Sequence, residues 1–325
     1  MFKFLRGLGF VFALVIFFGF IGFLIQSYDS SRVEKTLPPP GEIVDLGTHS
    51  LHVNVVGSDG YPIVLESAIG GWSEDWSLVV PLLADLGQVV VYDRAGYGWS
   101  EVGALLRSPE IIVEELNQLL AGLELEPPYI LVGHSEGASY IHLFASKYPE
   151  KVAGLVFLDA RIPEFEERVP AAKQGREMNQ KISAILGGFS RIGVFRLAYW
   201  AMGERMVPMV QEFPKETQDR YVRVGLRPKY FETVRNEGMM VEEMDLLVKE
   251  AGGFKNTPLV VVSQNRDRDN ENTESKEAWI ELQQDLTKLS TTSTFMFANT
   301  SNHQIHIYDP ETVVEAVQWV IERIR

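Results

Sequence analysis

Apolar residues follow three patterns along the chain. The first is continuous: Gly7 to Ile25 runs 19 residues without a charge, preceded by Lys3 and Arg6. As a helix it would be about 28 Å long, close to the roughly 30 Å hydrocarbon thickness of a bilayer. Residues 1–26 are therefore expected to form a transmembrane anchor. A signal-peptide core is usually shorter and ends at small residues, whereas this run ends Phe23-Leu24-Ile25-Gln26-Ser27. Secretion after cleavage is the alternative to a retained, single-pass anchor. Lys3 and Arg6 favour an N-terminus inside and the remaining domain outside the cytoplasm, although Arg32 and Lys35 follow on the other side. Residues 27–41, with Pro38-Pro39-Pro40, are expected to be a short stiff spacer.

The second pattern alternates short apolar runs with helix-length stretches. Ile43–Leu46 and Leu51–Val56 flank Gly47-Thr48-His49 as a hairpin, and Ile63–Glu66 follows another turn. Val89–Tyr92 precedes a helix at about 108–121, with Leu116, Leu119 and Leu120 spaced for one face. Tyr129–Val132 precedes a helix from 136 to about 147, and Leu155–Leu158 comes next. Pro258–Val262, a helix at about 273–289 and Ser293–Ala298 resume the alternation. Asp309-Pro310-Glu311 then opens a final helix, with Asp as N-cap and Pro at the first helical position. Continuous Val/Leu/Ile strands separated by helices predict an α/β fold with a parallel sheet covered on both faces.

The third pattern is the interruption. Residues 161–257 carry helical patches and no strand signal, so they read as an insertion over the strand ends. The insertion holds Trp200, Met202, Met206, Met209, Phe213, Met239, Met240 and Met244. An ordinary helical core is the expected place for most of these. Methionines beside a pocket would also tolerate varied apolar groups.

Composition narrows the function. The chain has 325 residues, 46% apolar, with 30 Lys+Arg against 44 Asp+Glu, a formal charge of −14. No Lys/Arg-rich run is present, which argues against nucleic-acid binding. The acidity also disfavours strongly anionic substrates. With no cysteine there is no disulfide, thiolate metal site or cysteine nucleophile.

Chemistry concentrates in Gly133-His134-Ser135-Glu136-Gly137, a G-x-S-x-G string directly between a strand and a helix. A nucleophile elbow needs that setting: the turn strains the serine backbone, and small residues two places either side let strand and helix pass closely. Ser135 is the candidate nucleophile. In such elbows the acid and the histidine follow the serine in the chain, which leaves His303 and His306 among the six histidines. His303, in the polar loop Asn299-Thr300-Ser301-Asn302-His303, is the candidate base, and His306 between Ile305 and Ile307 reads as packing. Two carboxylates could orient the imidazole: Asp267, five residues beyond Val262, and Asp159, which ends its own strand. Asp269 is weaker.

Together these residues resemble the α/β-hydrolase superfamily in its single-domain, lipase/esterase-like form, over about residues 42–325. Tyr92-Asp93-Arg94-Ala95-Gly96-Tyr97-Gly98-Trp99-Ser100 resembles the loop after the family's fourth strand. The resemblance implies Ser135 as nucleophile, His303 as base, and Asp267 as acid, with Asp159 the alternative some members would use. Gln264 stands where Gly is usual. Glu66-Ser67-Ala68-Ile69-Gly70-Gly71 replaces the frequent His-Gly after the third strand, which implies the amides of Glu136 and Ile69 as oxyanion donors. The insertion at 161–257 would be the family's cap. The reading that follows is a membrane-anchored serine hydrolase acting on neutral or apolar carboxylic esters, with no metal or organic cofactor. C–C bond, amide and peptide hydrolysis share the triad, and a non-catalytic hydrolase-like binding protein is the alternative outside enzymology.

Overall fold

The computed structural model describes residues 2–104, 106–266 and 273–324. Eight strands form one sheet: β1 (Glu42–Asp45), β2 (Ser50–Val56), β3 (Pro62–Glu66), β4 (Gln88–Tyr92), β5 (Tyr129–His134), β6 (Val152–Leu158), β7 (Leu259–Ser263) and β8 (Ser293–Phe297). Their spatial order is β1-β2-β4-β3-β5-β6-β7-β8. The first hairpin pairs antiparallel, as does β2 with β4; every pairing from β4 through β8 is parallel.

The helices are α1 (Phe2–Thr36), α2 (Val80–Leu83), α3 (Pro109–Gly122), α4 (Glu136–Lys147), α5 (Pro163–Arg168), α6 (Pro170–Arg191), α7 (Val194–Met202), α8 (Lys215–Gly225), α9 (Pro228–Met239), α10 (Val241–Ala251), α11 (Thr273–Asp285), α12 (Ile305–Tyr308) and α13 (Pro310–Ile324). Helices α5 to α10 form the insertion between β6 and β7.

Side chains of successive strand residues point to opposite faces, so an unbroken apolar strand must be covered twice. Val64, Val90, Leu131, Leu155 and Val261 bury on one face with Leu116, Leu119 and Leu120 of α3 and Ile141 and Phe144 of α4. Their neighbours Ile63, Val89, Ile130, Val156 and Val260 bury on the other with Val313, Ala316, Val317 and Val320 of α13. The Leu116 face expected from the sequence is the one that packs.

Two expectations change. The spacer expected over 27–41 is helical as far as Thr36. Its Ser and charged residues do not break a helix, and the first proline comes only at 38. Val33 packs with Trp72, Tyr97, Trp99 and Val224, so this part of α1 docks on the domain instead of spacing it. Within the insertion Phe213 and Met244 are buried as expected, but Trp200 is 90% exposed and Met202 and Met239 are exposed too.

Candidate active site

The elbow forms where β5 turns into α4. Ser135 sits at φ 53° and ψ −119°, a conformation costly for a residue with a Cβ. Its neighbours explain the string. A Cβ on Gly133 would lie 2.6 Å from the Ala138 amide nitrogen, and one on Gly137 would lie 2.4 Å from the Glu66 carbonyl oxygen. The backbone is held on both sides, with the Ser135 amide donating to Leu158 at 3.0 Å and the Arg161 amide donating to the Ser135 carbonyl at 3.1 Å.

His303 lies in the loop after β8. The Asn299 amide donates to Asp309 Oδ2 at 2.6 Å and the Gln304 amide to Asn302 Oδ1 at 3.1 Å, which shapes the loop from its own polar side chains. His134 of the elbow bonds through Nε2 to the His303 carbonyl at 2.9 Å, tying this loop to the nucleophile turn. On the other side of the ring, His303 Nδ1 donates to Asp159 Oδ2 at 2.6 Å.

Asp159 is fully buried at the end of β6, where an uncompensated charge would be costly. Further donors surround it: the Gln264 amide at 3.1 Å, Gln264 Nε2 at 2.6 Å and Trp279 Nε1 at 3.1 Å. The glutamine that departs from the family pattern is thus a ligand of this carboxylate. Asp267 and Asp269 lie outside the described residues.

Ser135, His303, Glu136 and Ile69 share one cavity of about 310 Å³ with Asp75, Tyr221 and Tyr230. Ser135 Oγ donates to Glu136 Oε2 at 2.9 Å. Burial and the neighbouring histidines hold His134 well below the ordinary imidazole range, and burial with His303 pushes His306 down to about 3. Both therefore stay neutral at physiological pH. His306 packs against Trp76 with ring centroids 4.5 Å apart, the packing role expected for it. No group of three or more His, Asp or Glu side chains suited to a metal ion occurs among the described residues.

The second oxyanion candidate sits on the loop 67–71, whose scaffold was not legible in the sequence. Arg94, just after β4, donates through NH1 to the Ser67 carbonyl at 2.6 Å and through NH2 to the Ala68 carbonyl at 2.8 Å. Tyr97 Oη accepts from the Gly70 amide at 3.1 Å. Glu237 of α9 then holds both Arg94 and Tyr97. The only sequence signal for this network was the resemblance of the 92–100 loop to the one after the family's fourth strand. Nothing marked Glu237, 143 residues from Arg94. The hairpin histidine His52 serves elsewhere, as a buried partner of Asp93 at 2.7 Å.

A parallel sheet covered on both faces, a serine at positive φ between strand and helix, and a His–Asp pair at the same sheet edge define an α/β fold with a sharp strand–turn–helix serine at its candidate site. A family model described as the alpha/beta hydrolase fold matches residues 61–190. The uncharacterized protein YqjL of Bacillus subtilis (strain 168) is 37% identical over 133 residues, 40% of this chain and 49% of that protein. The match thus spans about half the length of that relative. A thermophilic esterase from Thermogutta terrifontis has a TM-score of 0.61 at 20% identity, covering 87% of this chain and 99% of that one. The epoxide hydrolase CorEH has a TM-score of 0.59 at 17% identity, covering 87% and 99%. The chain has the alpha/beta hydrolase fold, which the family model matches over residues 61–190. Its solved neighbours differ in named chemistry, so they establish the fold and not the reaction.

Proposed function

We propose that this protein is a membrane-anchored serine hydrolase that cleaves carboxylic esters, with α1 as anchor and helices α5 to α10 as a cap. The observation that carries the reading is Ser135 at its strained turn sharing a cavity with the His303–Asp159 pair. Donation from Nδ1 to Asp159 leaves Nε2 free of its proton, the tautomer a general base requires. Ser135 attacks the carbonyl as His303 takes its proton. The amides of Glu136 and Ile69 receive the oxyanion, a contribution of roughly 3 kcal/mol per donor. His303 then protonates the leaving alcohol and activates water to release the acid.

Serine in the elbow separates this chemistry from epoxide opening by an aspartate nucleophile, and the Thermogutta terrifontis relative is an esterase. Asp159 is proposed as the acid on its contact with His303; Asp267 remains the comparison to make.

Labelling with a fluorophosphonate probe tests the reading. Wild-type protein is expected to label, and Ser135→Ala and His303→Ala to lose labelling. Folded wild-type protein that does not label would overturn it. Amides turned over as fast as matched esters would replace the ester assignment.

A further inference from the structure

The C-terminal part of α1 and helix α7 of the cap enclose a groove of about 830 Å³ beside the apolar span. Its apolar lining is Leu24 and Ile25 of α1 and Leu197 and Trp200 of α7. Its charged lining is basic, with Arg32, Arg196 and Arg223 against a single aspartate, Asp29. That excess of cations is notable in a chain of formal charge −14.

The groove is built, not accidental. Gln26 Nε2 donates to the Leu226 carbonyl at 3.2 Å, and Arg196 Nε donates to Gln26 Oε1 at 2.9 Å. Arg196 also pairs with Asp29. A Cβ on Gly22 would meet the Ile192 carbonyl oxygen at 2.2 Å, so the anchor and the α6–α7 turn touch backbone to backbone. With Arg196 so engaged, the other two arginines carry the excess. Arg223 holds a 3.3 Å contact to the exposed Asp219 and a 3.4 Å contact to Thr36 Oγ1, both at the surface, and Arg32 is exposed with no ion pair among the described residues. Burial lowers the Arg196 pKa, and repulsion from Arg223 and Arg227 opposes the pull of Asp29.

Depth selects the occupant. Ile25 ends the uncharged run, and Arg32 lies seven residues on, about 10 Å along a helix axis. The headgroup layer occupies roughly the first 5–7 Å beyond the hydrocarbon, within reach of an arginine stem that snorkels toward it. Trp200, 90% exposed and lining the same groove as Leu24 and Ile25, is an amphipathic ring of the kind that settles at a bilayer interface.

We infer that this groove binds an anionic phospholipid of the surrounding bilayer, its phosphate headgroup on Arg32 and Arg223 and its acyl chain along Leu197 and Trp200. The inference rests on α1 being a retained anchor. It also means that the cap lies on the membrane surface, since α7 is part of the cap.

Full-length protein reconstituted in vesicles of equal phosphatidylcholine and phosphatidylglycerol provides the test, with one lipid at a time brominated on its acyl chains. Tryptophan quenching is expected to be at least twofold stronger when phosphatidylglycerol carries the bromine, and a Trp200→Phe variant should lose the difference. The Arg32→Gln/Arg223→Gln double variant should lose it as well, at about a fivefold loss of relative affinity per arginine, while Arg32→Lys/Arg223→Lys retains it. Equal quenching by the two lipids, or a preference untouched by the glutamine variant, overturns the groove and leaves the anchor standing. Release of the chain from carbonate-washed membranes overturns both.

Discussion

Glu237 reaches from the helical insertion into the core and clamps the Arg94 guanidinium at two points, Nε at 3.1 Å and NH2 at 2.9 Å. Both side chains are essentially inaccessible to solvent. On its opposite edge the same guanidinium bonds Glu66 at 2.5 Å and the carbonyls of Ser67 and Ala68. One residue of the insertion thus supports the loop that carries the Ile69 amide.

Removing Glu237 leaves Arg94 buried with two of its five hydrogen bonds gone. Glu237→Ala is therefore expected to destabilise the protein by about 3–5 kcal/mol, the usual cost of breaking a buried pair by deleting one partner. Thermal unfolding of the full chain in detergent measures this. Glu237→Gln keeps the shape and should cost less, while kcat falls in both if the loop loses its support. An unchanged kcat in Glu237→Ala would separate the network from the oxyanion loop.

Asp159 and Asp267 make opposite predictions. Asp159→Asn preserves the volume but would stabilise the wrong imidazole tautomer, and a fall of about 10⁴-fold in kcat is expected. Asp267→Asn should leave kcat within about threefold of wild type. Hydrolysis of a water-soluble short-chain ester reads both, and the reverse ranking would make Asp267 the acid.

The Glu136 carboxyl accepts the Ser135 hydroxyl at 2.9 Å, which in the proposed mechanism sets it beside the reacting carbonyl. Glu136→Gln keeps the backbone amide and removes the charge. Acylation is expected to accelerate several-fold, because a nearby carboxylate repels the developing oxyanion. The second-order rate of fluorophosphonate labelling measures it. A slower variant would show that the carboxylate assists the serine.

Asp75 predicts a pH dependence of stability. Burial pushes its carboxyl up to about 7, with Asp93 and Glu74 adding to the shift against the Trp72 amide that bonds it. The unfolded value is about 3.9, so the folded state holds this proton more tightly. The resulting stability is complete below pH ~4, is lost between ~4 and ~7, and changes no further above 7. Asp75→Asn should remove that slope, gaining up to about 4 kcal/mol on wild type between pH 4 and pH 8. Melting temperatures of the two proteins across that range test it, and parallel curves would count against the shift.

Much of this was written locally. A strand is recognised by its own apolar run and a helix by its own spacing, so β5, α4 and the Ser135 elbow could be placed from Tyr129 to Lys147 alone. Gly133 and Gly137 were legible for the same reason: the backbone they must clear is that of their own turn and the adjacent strand. The candidate base was legible too, because a polar Asn-Thr-Ser-Asn-His run after a strand builds its own loop.

Tertiary structure decided what depends on meetings between distant segments. Gln264 and Trp279 converge on Asp159 only because β6 and β7 are neighbours and α11 packs against them. Glu237 meets Arg94 because the insertion folds back over the strand ends, and no local pattern encodes that direction. Helix α1 likewise docks beyond Ile25 because Val33 meets Trp72, Tyr97, Trp99 and Val224 and Gln26 meets Leu226, where the sequence by itself showed only the end of an apolar run. Local propensity and periodicity act over one or two turns of chain. A buried charge is satisfied by whichever donor the fold brings within about 3 Å of it.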